Sequence, residues 1–134
     1  MKNLYFILLL LLFFSCSKGP GEGGTSMING RVIHYTTEYN TQTSTNDTLY
    51  FPKAGKDVYI IYGNDIHDIY DDNVETDWNG NFQFDFLRKG EYVIYTYIDS
   101  NLTGSVDYDF PVFRNITIND NNSINTVNEF ILEN

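Results

Sequence analysis

The sequence predicts an all-β fold, a single antiparallel β-sandwich of about seven strands. Three observations lead there. Short runs rich in aromatic and β-branched residues recur along the chain, clusters of Gly, Asn and Asp punctuate them, and nowhere do a dozen residues keep a helical period.

The strands follow in order from Met27. "INGRVIHY" at 28–35 is the first. "KDVYIIYG" supplies a second across Val58–Tyr62, apolar on both parities, and "NVETD" at 73–77 a short third. "NFQFDFL" at 81–87 alternates Phe82, Phe84 and Phe86 with Asn81, Gln83 and Asp85, which predicts three rings on one face and polar groups on the other. "EYVIYTYID" at 91–99 is apolar on both faces and belongs in the middle of its sheet. "FRNITIN" at 113–119 and "NTVNEFILE" at 125–133 complete the set. Trp78-Asn79-Gly80-Asn81 and Arg88-Lys89-Gly90-Glu91 read as the two tightest turns. The Thr- and Asn-rich stretch 34–52 reads as a long first connection.

What precedes the domain reads differently. Leu4–Phe14 is an unbroken apolar run behind Lys2. As a helix it would span about 16 Å against a hydrocarbon core of about 30 Å, too short to cross. A basic start, a short apolar middle and then small residues form the layout of a secretory signal over 1–15. Phe13-Phe14-Ser15-Cys16 resembles the lipobox of bacterial lipoproteins, in which cleavage leaves the Cys first and lipid is attached to it; Phe13 stands where an aliphatic residue is usual. The resemblance makes Cys16, the sole cysteine, the lipidation site and leaves the mature chain without a thiol. Residues 16–26 then read as the lipidated Cys and a Gly-rich flexible tether, and 27–134 as one domain. A single Glu22 in the tether, beside Lys18, points to the periplasmic face of the outer membrane over the cell surface.

The order of the domain's segments resembles carboxypeptidase regulatory-like domains, the transthyretin-like or prealbumin-like sandwiches, here in a bacterial lipoprotein of Bacteroidetes type. "INGRV", "AGKDVYI", "VETDWNGNFQFDFLRKGEYVIYTY" and "NITINDNNSINTVNEFIL" carry it. Thr76, Asp77, Gly80, Phe82, Phe84, Leu87, Gly90, Tyr92 and Ile94 occupy the family's middle block. Their chemistry is structural: Gly80 and Gly90 suit positive φ or close backbone approach, Asp77 can accept from amides of its own turn, and the apolar members fill the core.

Catalytic constellations are missing from the sequence. His34 and His67 are the only histidines, too far apart for the spacing of a zinc motif. No GxSxG is present. Fold relatives that are enzymes, the intradiol dioxygenases and hydroxyisourate hydrolase, use paired histidines that have no counterpart here. The chain is therefore expected to be no enzyme and to need no cofactor. Its formal net charge of −10 excludes nucleic acid and anionic lipid head groups as partners. Six acids fall between Asp65 and Asp77; were a cation to bind, Asp68, Asp71, Asp72 and Asp77 would be its ligands, although no EF-hand order fits and a solvated charged loop is the simpler reading. Trp78, the only tryptophan, sits on a turn where stacking on a sugar ring is open to it. The resulting expectation is a non-enzymatic, lipid-anchored envelope module with a protein partner, and the alternative is a carbohydrate or small-ligand binder.

Overall fold

The computed structural model describes residues 18–100 and 108–133; the apolar run and Cys16 lie outside the described residues. Nine strands and no helix make up the described residues: β1 (Glu22–Asn40), β2 (Thr45–Pro52), β3 (Asp57–Tyr62), β4 (Asp72–Glu75), β5 (Asn81–Leu87), β6 (Gly90–Ser100), β7 (Tyr108–Ile118), β8 (Ile124–Thr126) and β9 (Phe130–Glu133). They form two sheets. One runs β2-β1-β5 with β8 and β9 also paired to β1, and the other runs β4-β3-β6-β7.

A shared core holds the sheets together in a sandwich-like, all-β arrangement. Ile28, Val32, Phe82, Phe84, Leu87, Phe130 and Leu132 face it from the first sheet, and Val58, Ile60, Tyr92, Ile94 and Ile118 from the second. Each such side chain contributes about 1.5–3 kcal/mol relative to exposure. β6 is central, between β3 and β7, as its two apolar faces predict. Its outer face carries a satellite cluster of Ile61, Val93 and Tyr95 with Tyr59, Tyr97 and Phe113 against it.

Four expectations require correction. First, the fold is not wholly antiparallel, because β8 and β9 pair parallel to β1. The predicted last strand is split between them: the amide of Val127 donates to the carbonyl of Asn29, and the side chain turns into the core. Second, the connection at 34–52 is a hairpin ribbon, with β1 from Ile33 to Asn40 paired antiparallel to β2 without a register break.

Third, the Gly-rich segment is not a free tether throughout, since Glu22–Ser26 belong to β1. Leu87 pairs with both Glu22 and Ser26 across a bulge. A Cβ on Gly24 would fall 1.9 Å from the carbonyl oxygen of Leu87, so a glycine lets the two backbones touch. Arg88 then clasps the segment: Nε donates to the carbonyl of Gly19 at 2.8 Å and Nη1 to that of Glu22. Fourth, Phe86 does not join Phe82 and Phe84. It adopts φ 57°, which shifts the alternation by one, turning Phe86 to solvent and Leu87 into the core.

Candidate functional site

Trp78 lies between β4 and β5 on a turn whose backbone is tied at every corner. The amide of Asp77 donates to the carbonyl of Asn81 and that of Gly80 to the carbonyl of Asp77, both at 2.9 Å. Asp77 Oδ1 accepts the amides of Asn79 and Asn81, both at 2.8 Å. Gly80 holds φ +77°, and a Cβ there would sit 2.3 Å from the Val32 carbonyl oxygen. On this rigid base the Trp78 ring is 91% exposed. The turn spends no core contact on it.

Two adjoining depressions flank the turn. The larger, about 700 Å³, is lined by polar Asn29, Arg31, Glu75, Asp77, Asn81, Gln83, Thr126 and Glu129 and by apolar Val74, Phe82 and Val127, with Gly30 between them. The smaller, about 350 Å³, is lined by Ala54, Gly55, Glu75, Thr76, Asp77 and Trp78. Glu75 and Asp77 border both, so the depression that the indole lines shares an edge with a cleft of amides, hydroxyl and carboxylates over an apolar patch. The rim is fixed from below. Thr76 is buried, donates through Oγ1 to the carbonyl of Lys53 and accepts the amide of Lys56 at 3.0 Å.

The electrostatics are net negative. Among the described residues Arg31 is the cleft's one lining cation; its Nε donates to the carbonyl of Asn79 at 2.9 Å and Nη1 lies 3.9 Å from Glu129 Oε1. Against it stand Glu75, Asp77 and Glu129. The hydrogen bonds from Asn81, then that from Asn79 and the charge of Arg31, hold the Asp77 carboxyl below its ordinary range, with partial desolvation opposing them. That direction suits a hydrogen-bond acceptor and opposes the raised carboxyl a general acid requires.

The four candidate cation ligands are not brought together. Asp68 Oδ1 accepts the amide of Ile69 at 2.9 Å, Asp71 Oδ2 that of Tyr62 at 2.6 Å, and Asp72 Oδ1 that of Asn73 at 2.8 Å, while Asp77 serves the Trp78 turn. Among the described residues no group of three or more His, Cys, Asp or Glu side chains is placed to hold a metal ion. Asp68 and Asp72 thus brace their own loop and Asp71 the end of β3.

The histidines occupy separate environments. His34, on β1, meets Phe51 edge-on at 5.6 Å; its Nδ1 is buried without a hydrogen-bond partner, and desolvation, with the charge of Lys53, lowers its pKa. His67 lines a hollow of about 350 Å³ with Asp68, Tyr97 and Phe113, where, among the described residues, no serine, cysteine or second acid joins it. Nor is the neighbouring aromatic row an open platform. Tyr95 stacks on Tyr59 at 5.0 Å, meets Phe113 at 5.3 Å and is 7% exposed, whereas Trp78 is 91% exposed. Burial and the adjacent tyrosines push the Tyr95 hydroxyl up to about 12.

Sequence reading located Trp78 and the Asp77 turn. It did not find Asn29, Arg31, Gln83, Thr126 or Glu129, whose only sign was a polar residue alternating with apolar ones. No protein-family model and no curated protein matches the chain. Among solved structures, a Pseudomonas aeruginosa protein described as a proposed carbohydrate-binding protein is similar at a TM-score of 0.48 and 16% identity, over 85% of this chain and 91% of that one.

Proposed function

We propose that this chain is a non-catalytic ligand-binding module of the cell envelope, and that the cleft beside Trp78 takes a neutral carbohydrate. One observation carries the reading: a 91% exposed indole on a hydrogen-bonded turn lines a depression that shares Glu75 and Asp77 with a cleft of amide, carboxylate and apolar side chains. Sugars present an apolar ring face and a belt of hydroxyls, and an aromatic plane with fixed acceptors and donors matches both. The excess of carboxylate over Arg31 disfavours uronates and phosphosugars. The same module is taken to be a transthyretin-like sandwich of the carboxypeptidase regulatory-like type, since the matched Gly80, Gly90, Phe82, Phe84, Leu87, Tyr92 and Ile94 all serve turns or core. Its place is the periplasmic face of the outer membrane, anchored by lipid on Cys16, beside an envelope protein it assists.

Calorimetric titration with neutral oligosaccharides and their uronate counterparts tests the binding reading. Heat with a neutral sugar, lost in Trp78→Ala and reduced in Gln83→Ala, supports it. No heat across the panel, or equal binding by Trp78→Ala, refutes it. For the anchor, Cys16→Ala should leave the membrane pellet and lose acyl mass.

A further inference from the structure

We propose that β2 is a self-association strand, which pairs antiparallel, edge to edge, with β2 of a second copy of this chain. β2 ends its sheet and, among the described residues, has β1 as its one strand partner. All eight of its residues are exposed, and Leu49, Tyr50 and Phe51 remain 43%, 60% and 43% accessible. An edge like this is a template for another strand, and soluble proteins ordinarily blunt it with lysines, a bulge, a mid-strand proline or a covering loop. β2 has none of the first three: "TNDTLYFP" contains no Lys or Arg, its proline is the final residue, and its register against β1 is unbroken.

The choice of a second copy rests on charge. Asp47 is the only charged residue of β2 and lies off its centre. In an antiparallel pair centred on Thr48, on Leu49 or between them, Asp47 faces Leu49, Phe51 or Tyr50 of the other copy and never its own counterpart. The strand thus meets itself without a like-charge clash, and pairing would join the two first sheets into one continuous sheet. The net charge of −10 opposes approach of two copies at a distance, so association should tighten as salt screens it.

Sedimentation velocity of the full chain carrying Cys16→Ser, in non-ionic detergent, provides the test, with lipid and disulfide both removed. A concentration-dependent dimer whose dissociation constant falls as salt rises from about 50 to 500 mM is expected. Pairing along the edge sets both faces of β2 beside their counterparts. Leu49→Lys on one face and Tyr50→Lys on the other should therefore each weaken the dimer about tenfold or more, with an unchanged circular dichroism spectrum, while Phe86→Lys, an exposed ring elsewhere, should not. A monomer at all concentrations overturns the proposal. So does weakening by one face alone, which marks packing of a face, or equal weakening by Phe86→Lys.

Discussion

The hydroxyl of Tyr92 donates to the carbonyl of Arg88, four residues earlier, at 2.7 Å. The same oxygen accepts the amide of Gly21 at 2.9 Å, and the Arg88 amide donates to the carbonyl of Gly21 at 2.9 Å. A buried phenol thus fastens the β5–β6 turn to the segment that leads into β1. The bond back to upstream backbone is of the kind made by the tyrosine corners of β-sandwiches.

Tyr92→Phe should therefore destabilise by about 1–3 kcal/mol, the range for leaving buried partners unsatisfied. Urea unfolding monitored by circular dichroism checks this. Limited proteolysis of the variant should cut sooner within Gly19–Gly24, because the fastening of that segment is what the hydroxyl supplies.

Gly80→Ala should cost more than about 1 kcal/mol. The position combines φ +77° with a Cβ-to-carbonyl approach of 2.3 Å, so relief requires movement of backbone. A chemical denaturation curve superposable on that of the parent would contradict the turn geometry.

Trp78→Ala should leave stability within about 0.5 kcal/mol, as surface substitutions do. The parent's fluorescence should peak at the long wavelengths of a hydrated indole and be quenched readily by acrylamide. A blue-shifted, protected emission would mean the ring is covered.

Stability should decline as pH rises between about 10 and 12. Burial and, at Tyr62, the carboxylates of Glu22, Asp72 and Asp71 raise two tyrosines, Tyr62 and Tyr95, to about 12 from an ordinary value of 10.0. Below pH 10 both states are protonated and the contribution is complete. Above it the unfolded chain ionises first, so stability falls until the folded hydroxyls ionise as well. Asp77 acts in the opposite sense: its lowered carboxyl adds stability above its ordinary 3.8, lost as acid protonates it. Melting temperatures across pH 2–12 would show both shoulders.

Millimolar calcium should leave the melting temperature within about a degree. A site filled at 100 times its dissociation constant would add about 2.7 kcal/mol, and Asp68, Asp71 and Asp72 each accept a backbone amide instead of converging. A rise of several degrees, lost in Asp71→Asn with Asp72→Asn, would show otherwise.

Legibility in the sequence followed contrast in burial. β5 and β6 stood out because their apolar residues are bounded by Gly and Asn turns and one or both faces are covered. β2 did not, because it is exposed on both faces and nothing in its pattern distinguishes in from out. Gly23 and Gly24 signalled freedom, yet in the structure they permit close approach to Arg88 and Leu87; composition alone does not separate the two uses. The parallel pairing of β8 and β9 joins residues nearly a hundred positions apart, beyond any local signal. The cleft is assembled from β1, β4, β5 and the β8–β9 region, so its residues become neighbours only after folding. Trp78 could be singled out because its exposure follows from a local turn.

The clasp of Arg88 on Gly19 and Glu22 also sets a direction. β5 carries the Trp78 turn at one end and the Arg88 turn at the other, separated by about 20 Å of strand. With an acyl chain on Cys16, three steps of chain, at most about 10 Å, join the lipid to the clasped Gly19. Such a short leash would hold the Arg88 pole against the bilayer and turn the indole and its cleft outward. β1 runs from that pole through 19 residues to the hairpin tip, a reach on the order of 60 Å were it straight. The ribbon would then stand well clear of the lipid surface, where two copies confined to one membrane meet side by side.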